Sequence, residues 1–118
     1  MHIDNVLEDF IQRAPESFWR AIYAAFRERS VGIGVMGFHS YLQSKMLPME
    51  GAMAVAHQNR MLKTVRTELD RVSYELALER GPCPDGEDAD IMERFTNKMA
   101  IAPTASISTI CGGASPCI

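Results

Sequence analysis

The chain has 118 residues, enough for one domain with one hydrophobic core and too few for two. Hydrophobic residues make up 47% of it, charged residues make up 23%, and the net charge is −3, a balance that disfavours a nucleic-acid partner. No apolar run approaches the roughly 20 residues that a membrane span needs, and the first ten residues lack the features of a secretory signal. We therefore expect a cytoplasmic protein with neither nucleic-acid nor membrane partners.

The cysteine and histidine patterns argue against disulfide and metal chemistry. The three cysteines are Cys83, Cys111 and Cys117. Their number is odd and no C-x-x-C pair occurs, so neither a disulfide framework nor a zinc site with paired ligands is predicted. The three histidines are scattered, without metal-binding spacing. We expect reduced thiols and assign no metal and no cofactor to this chain.

Two helices are predicted in the first 29 residues. The first is amphipathic and covers residues 4–13, with Asp4 or Asn5 as its cap. Pro15 then breaks the chain and suits the first turn of a second helix, which runs to about Arg29. Apolar and aromatic residues recur along that helix: Phe18, Trp19, Ile22, Tyr23, Ala25 and Phe26. We expect them to be packing residues rather than a base-stacking platform.

The segment VGIGVMG, residues 31–37, contains G-x-G-x-x-G at Gly32, Gly34 and Gly37. In a dinucleotide-binding fold this pattern follows a buried strand and opens a helix. Here the preceding residues, AAFRERS, are charged and helical in pattern, and the downstream carboxylate Glu50 enters a helix instead of ending a strand. The flanking sequence is therefore not that of a dinucleotide-binding fold. We interpret VGIGV as a short strand whose glycines let a neighbouring backbone approach closely.

Helical periodicity and turn residues organise the middle of the chain. FHSYLQSKML is predicted to form a helix of about two to three turns that ends at Pro48. A long helix is predicted between Met49 and Arg80, with Gly81 as its C-terminal cap. Its apolar stripe consists of Val65, Leu69, Val72 and Leu76. Residues 81–90 form a turn-rich acidic loop without calcium-binding spacing, and the IMERF segment after it is expected to form a short helical turn.

The tail, KMAIAPTASISTICGGASPCI, contains the best candidate for an anion site. AIA is a short strand candidate, Pro103 fixes a turn, and the residues after it can begin a helix. Free backbone N–H groups there, with the hydroxyls of Thr104, Ser106 and Ser108, would form a neutral cradle for a phosphate. The alternative is an ordinary Ser/Thr-rich capping turn, which the residues alone favour.

Three segments in the same order, ERSVGIGVMGFHSYLQ, ELALERGPCPD and AIAPTASISTICGGASPCI, resemble the catalytic large subunit of ribonucleotide reductase. The resemblance is to the C-terminal half of its ten-stranded α/β barrel and covers nearly the whole chain. It implies a piece of an α/β barrel that is itself mainly α-helical, with one or two short strands. Residues 1–118 would be a single partial domain. Its parts would be two helices in 1–29, a strand, a helix and the long helix in 31–80, the acidic loop and a short helix in 81–96, and a strand with the phosphate-binding loop in 97–118.

The same resemblance assigns a role to the PTASIS segment. In the family, this segment binds the phosphates of the ribonucleotide substrate through backbone N–H groups and hydroxyls. Carried over by position, the site residues would be Pro103, Thr104, Ala105, Ser106 and Ile107, with Ser108 in support. The resemblance thus reverses the preference for a capping turn, and it also implies that the glycines of VGIGVMG are architectural.

The family's radical chemistry, as the resemblance implies it, needs residues that this sequence does not contain. The N-x-C-x-E motif of the radical cysteine is absent, and so are the pair of redox cysteines, the allosteric loops and the radical-transfer tyrosines. None of Cys83, Cys111 and Cys117 matches an essential position, so no catalytic residue is assigned. We expect a fragment of a large subunit, either one piece of a split enzyme or a truncated product, that is inactive by itself.

The implied partners are the remaining parts of the large subunit, a radical-generating small subunit, the ribonucleotide substrate, and thioredoxin or glutaredoxin. The parent enzyme would depend on a radical generator, either a metal-containing small subunit or cobalamin. A second hypothesis is a non-enzymatic helical interaction module derived from a reductase barrel. The tail separates the two hypotheses, because only a split-enzyme piece would need an intact PTASIS loop.

Overall fold

The structure, a computed structural model, describes residues 2–117 and is mainly helical. Its α-helices are α1 (His2–Arg13), α2 (Trp19–Glu28), α3 (Phe38–Ser44), α4 (Ala52–Arg80), α5 (Pro84–Asp88) and α6 (Ala105–Cys111), and a short 3-10 turn, Glu16–Phe18, precedes α2. A parallel β-bridge pairs Ile33, within the predicted strand VGIGV, with Met99, the residue before the predicted strand AIA. Within residues 2–117 no longer strand forms. None of the helices in this range is long and apolar enough to cross a membrane.

The described chain divides into two compact units, and α4 contributes residues to both. Unit 1 contains the residues up to Val31 together with Glu68–Lys98. Unit 2 contains Gly32–Thr67 together with the residues from Met99 onward. Each unit is therefore assembled from two separate stretches of sequence.

The apolar core of unit 2 forms where α3 meets the start of α4. Phe38, Leu42 and Ala54 are buried there, and Leu47 and Met61 pack against them. Phe38 and Leu42 are four residues apart and so lie on the same face of α3. The core is small, but it fixes the start of α3, which is close to the candidate site described below.

Unit 1 has a cluster of buried charges at its centre. Asp4 is fully buried on the first turn of α1, where it accepts hydrogen bonds from Arg29, Arg80 and Arg94. Glu8, one turn further along α1, accepts a second hydrogen bond from Arg29 at 2.8 Å. Asp4 was predicted as a possible helix cap. That prediction was wrong, because α1 begins at His2 and the carboxylate of Asp4 is engaged by the arginines.

The prediction that the aromatic residues of the second helix are packing residues is also wrong for this chain. Trp19 and Tyr23 are 61% and 62% exposed, and Phe26 is also exposed. Within unit 1, α2 packs against α1 and α5, which leaves most of its aromatic surface uncovered. Of the apolar residues of α2, only Ile22 and Ala25 are half-buried. Periodicity identified the apolar residues correctly, but it does not tell whether a neighbour covers them.

The acidic segment contains a helix that was expected slightly later in the chain. IMERF, residues 91–95, is not helical, and α5 covers Pro84–Asp88 instead. Proline suits the first turn of a helix, and Asp85 and Glu87 favour its positive end. Backbone groups of residues 91–95 form hydrogen bonds with residues outside this segment. For example, the N–H of Cys83 donates to the carbonyl of Glu93. These outside partners replace the bonds that a helix would need.

Candidate functional site

The candidate phosphate site lies in unit 2, where the extended chain after Met99 turns into α6. Pro103 is exposed and Thr104, with φ of 51°, occupies the N-cap position. α6 then begins at Ala105. A turn followed by a helix start was expected here, and both are present.

The first amides of α6 have no internal partner. The first intrahelical bond runs from the N–H of Ser108 to the carbonyl of Thr104, at 2.8 Å. No side chain caps the helix among the described residues, so the N–H groups of Ala105, Ser106 and Ile107 stay free, as expected at a helix start. All three residues are exposed. They present a set of neighbouring donors to solvent.

The hydroxyls around these amides have different roles. Ser106 is exposed and its hydroxyl is available to a ligand. The Oγ1 of Thr104 accepts a hydrogen bond from the N–H of Cys117 at 2.9 Å, which leaves the Thr104 hydroxyl proton free to donate. Ser108 is buried and its hydroxyl donates to the carbonyl of Ala105 at 2.7 Å. That geometry suits a supporting role for Ser108 rather than direct contact with a ligand.

The electrostatic character of the site comes from backbone N–H groups and neutral hydroxyls. Residues 99–117 contain no charged side chain. An anion at the start of α6 would therefore meet only partial positive charges from free N–H groups and hydroxyls.

Beyond α6 the chain turns back towards the start of the same helix. Gly112 and Gly113 both have left-handed φ values, 58° and 69°, which allow this reversal. The returning segment brings Cys117 to Thr104 and Ser115 to Ser40. Sequence reasoning missed the involvement of Ser40 and Ser115. They are 75 residues apart, and no local pattern connects two serines over that distance.

The glycine segment 31–37 has the architectural role expected of it. A Cβ on Gly32 would lie 2.8 Å from the Cβ of Ala100, and one on Gly34 would lie 2.5 Å from the carbonyl oxygen of Ala100. Both separations are too short for a side chain, so the prediction of close backbone approach is confirmed. Gly37 has φ of 84° and its N–H donates to the carbonyl of Ser115.

The cysteines occupy three different environments. Cys83 is fully buried in unit 1, Cys111 is exposed at the end of α6, and Cys117 is half-buried. All three thiols are free. Within residues 2–117 no group of three His, Cys, Asp or Glu side chains is arranged to hold a metal ion.

One cavity of unit 2 is separate from the phosphate loop. It has a volume of about 590 Å³ and a mostly apolar lining of Val35, Phe38, Tyr41, His57, Met61 and Val65 among others. The hydroxyl of Tyr41 and the Nδ1 of His57 are 3.0 Å apart at its wall. None of residues 103–108 lines it.

Comparisons with known proteins agree on one family. The family model described as "Ribonucleotide reductase, barrel domain" matches residues 5–94. The chain is 44% identical over 115 residues to the ribonucleoside-diphosphate reductase large subunit of Invertebrate iridescent virus 3, covering 98% of this chain and 18% of that protein. It is 30% identical over 110 residues to a vitamin B12-dependent ribonucleoside-diphosphate reductase of Mycobacterium tuberculosis, covering 90% of this chain and 16% of that protein.

A solved structure shows the same fold. The class Id ribonucleotide reductase alpha subunit of Actinobacillus ureae matches with a TM-score of 0.89 and 34% identity, over 97% of this chain and 22% of that one. The chain thus spans about a fifth of the length of the relatives it matches. Its helices and the β-bridge between Ile33 and Met99 belong to a segment of an α/β barrel. This chain belongs to the ribonucleotide reductase barrel-domain family, as a segment of the large subunit.

Proposed function

We propose that this segment supplies the substrate-phosphate loop of a ribonucleotide reductase, together with barrel packing. The loop consists of Pro103, Thr104, Ala105, Ser106 and Ile107, with Ser108 in support. The observation that carries the proposal is the set of free, exposed amides of Ala105–Ile107 at the start of α6. The family model ends at residue 94 and therefore does not include the loop. The iridescent virus relative covers 98% of the chain, which leaves too few residues outside the alignment to omit the loop.

The ligand of this loop is the diphosphate of a ribonucleoside diphosphate. Phosphate oxygens accept hydrogen bonds readily and favour the positive end of a helix. With no lysine or arginine in residues 99–117, the attraction is short-ranged and requires close contact with the N–H groups. We therefore expect millimolar affinity for the isolated chain, equivalent to about −4 kcal/mol.

In the parent enzyme, the loop would orient the substrate while other parts perform the chemistry. We propose that the parent reduces ribonucleotides to deoxyribonucleotides by thiyl-radical chemistry, with thioredoxin or glutaredoxin as the source of reducing equivalents. The radical cysteine and the redox cysteines would come from the remaining parts of the large subunit. The radical generator would be a metal-containing small subunit or cobalamin. The relatives include one named as vitamin B12-dependent and one named as class Id.

The second hypothesis, a non-enzymatic helical module, has less support. Similarity to reductase large subunits extends along almost the whole chain, including the tail that such a module would not need. We place the protein in the cytoplasm, a proposal supported by its three free thiols.

A titration of the uniformly ¹⁵N-labelled chain with inorganic pyrophosphate and with cytidine diphosphate tests the phosphate site. We expect the amide resonances of Ala105, Ser106 and Ile107 to shift most, with similar dissociation constants for the two ligands. Ser106→Asp should abolish binding, because its carboxylate repels the phosphate. The same carboxylate favours the start of a helix, so the variant keeps its fold. Ser106→Asn, which is neutral and of similar size, is the matched control and should retain binding. Pyrophosphate shifts spread over the lysines and arginines instead would overturn the proposal.

The purified chain should not reduce ribonucleotides by itself. The assay would combine it with cytidine diphosphate, a dithiol reductant and a radical-generating small subunit, and would measure deoxycytidine diphosphate. Product formed at a rate proportional to the concentration of this chain would contradict the assignment of the chemistry to other parts.

A further inference from the structure

The segment that follows α6 connects the start of α6 to the start of α3. We infer that Ser40, Ser115 and Thr104 are positioning residues that hold the amides of the phosphate loop in their binding orientation. This inference rests on the proposed function, because it concerns the same loop. None of the three carries a charge, and Ser40 and Ser115 lie outside the loop itself.

Ser40 and Ser115 form the first connection. The Oγ of Ser115 accepts a hydrogen bond from the N–H of Ser40 at 3.2 Å, and the Oγ of Ser40 accepts one from the N–H of Ser115 at 2.8 Å. This reciprocal exchange is that of a capping box, in which two residues three apart satisfy each other's N–H groups. The N-cap of α3 is Gly37, which has no side chain to offer. Ser115 therefore caps α3 from a distant part of the sequence.

A backbone contact strengthens this connection. The N–H of Gly37 donates to the carbonyl of Ser115 at 3.0 Å. At Gly37, which has φ of 84°, an added Cβ would lie 3.5 Å from the Cβ of Ala114. The returning segment is thus held against the start of α3 by three hydrogen bonds. The buried Phe38 and Leu42 fix α3 in the core of unit 2.

Thr104 forms the second connection. Its Oγ1 accepts a hydrogen bond from the N–H of Cys117, two residues beyond Ser115. Thr104 has φ of 51°, a left-handed conformation that is unfavourable for a β-branched residue. Such a conformation persists only where surrounding contacts impose it, and the bond from Cys117 is such a contact. Since Thr104 directly precedes Ala105, its backbone angles set the direction in which the free amides point.

The two connections share a single short segment. Displacement of Ser115 from Ser40 would move Cys117, and with it the hydrogen bond that holds Thr104. The orientation of the loop amides should therefore depend on two serines that do not contact the phosphate. Because the same segment carries both connections, breaking either one should have most of the effect of breaking both.

The test uses the full chain and measures pyrophosphate affinity and the ligand-free amide resonances of residues 105–107. Ser115→Ala and Thr104→Val should each weaken pyrophosphate binding about fivefold, the factor expected for one ordinary hydrogen bond. Thr104→Ser retains the acceptor for the N–H of Cys117, so the ligand-free amide resonances of residues 105–107 should stay at their wild-type positions. Thr109→Val removes an exposed hydroxyl that bonds within α6, and it should have no effect. The double variant, Ser115→Ala with Thr104→Val, should bind no more weakly than about tenfold below the wild type, rather than the product of the two single effects.

Failure of the inference is distinguishable from failure of the proposed function. If the wild type binds pyrophosphate and both single variants bind equally well, the positioning role is wrong while the phosphate site stands. If the wild type does not bind at all, the phosphate site is wrong, and the ligand-free resonances decide the positioning role. Unchanged resonances of residues 105–107 in Ser115→Ala would then overturn it. Thermal melting of each variant separates these outcomes from unfolding. If Ser115→Ala does not fold, the ligand-free resonances of residues 105–107 still test the inference, because they should shift in Thr104→Val and not in Thr104→Ser.

Discussion

Asp4 and Arg94 form a buried ion pair that joins α1 to a segment 90 residues further along the chain, with 3.1 Å between Arg94 Nε and Asp4 Oδ1. Arg29 donates to the same oxygen at 2.9 Å, and Arg80 donates to Oδ2 at 2.8 Å. One fully buried carboxylate thus accepts hydrogen bonds from three arginines. Loss of the Asp4 carboxylate should therefore destabilise unit 1.

Asp4→Asn should lower the free energy of unfolding by about 3 kcal/mol, because it leaves Arg29 and Arg94 buried without a fully compensating negative charge. Urea unfolding followed by circular dichroism measures the change. The control is Asp9→Asn, which removes the exposed pair with Arg13 on the same helix and should leave the free energy nearly unchanged. Equal effects of the two substitutions would show that the buried cluster contributes no special stability.

The same cluster predicts loss of stability in acid. Burial alone would raise the pKa of Asp4, but the hydrogen bonds from Arg29 and Arg94 outweigh burial, and the pKa lies below its ordinary value. A carboxylate whose pKa is lowered by folding adds stability above its unfolded pKa, about 3.9, and loses it as the pH falls further. The unfolding free energy of the wild type should therefore decrease below about pH 4. Asp4→Asn should decrease less steeply over that range, and parallel curves would contradict this account.

The ion pairs of Lys98 lead us to expect a loss of stability at alkaline pH. Burial alone would lower its pKa, but hydrogen bonds to Asp70 and Glu93 outweigh burial and raise it. A cation whose pKa is raised by folding adds stability that is complete below its unfolded pKa, about 10.4, and is lost as the pH rises through the folded value. Lys98→Met should remove part of the alkaline decline in unfolding free energy. Lys63→Met, at an exposed position of α4, should leave that decline as it is in the wild type.

Gly32 and Gly34 both lie close to Ala100, and we expect the substitution Ala100→Gly to restore stability to a variant of only one of them. A Cβ on Gly32 would meet the side chain of Ala100, whereas a Cβ on Gly34 would meet its backbone carbonyl. Gly32→Ala and Gly34→Ala should each destabilise the chain by about 1–3 kcal/mol. Adding Ala100→Gly should recover stability for Gly32→Ala alone, because only that clash involves a side chain. Thermal melting of the two double variants gives the answer, and equal rescue of both would refute the geometry.

Local signals in the sequence predicted every helix except α5, because each signal and its consequence lie within a few residues. The apolar stripe of α4 and the turn at Pro103 before α6 are of this kind. What depended on distant partners could not be predicted. Asp4 has the sequence pattern of a helix cap, but its three arginines determine its role.

Some features of the candidate site could likewise be predicted from local sequence, and others depend on distant residues. The free amides of α6 follow from a helix start that the sequence indicates, and the PTASIS segment is recognisable by family resemblance. The hydrogen bonds between Ser40 and Ser115 depend on how the chain returns after Gly113. The aromatic surface of α2 is exposed for a related reason, since periodicity marks a face as apolar without identifying what covers it.

The arrangement around Asp4 also has a consequence for the order in which the protein is synthesised. A nascent chain that has emerged from the ribosome only as far as α3 contains Asp4 and Arg29, but neither Arg80 nor Arg94. Until those two arginines emerge, the carboxylate has one of its three partners, and burying it is correspondingly unfavourable. We therefore expect the Asp4 carboxylate of α1 to stay exposed to water until Arg80 and Arg94 have been synthesised. A product that ends before residue 80 would lack both arginines, so its Asp4 carboxylate should remain exposed to water.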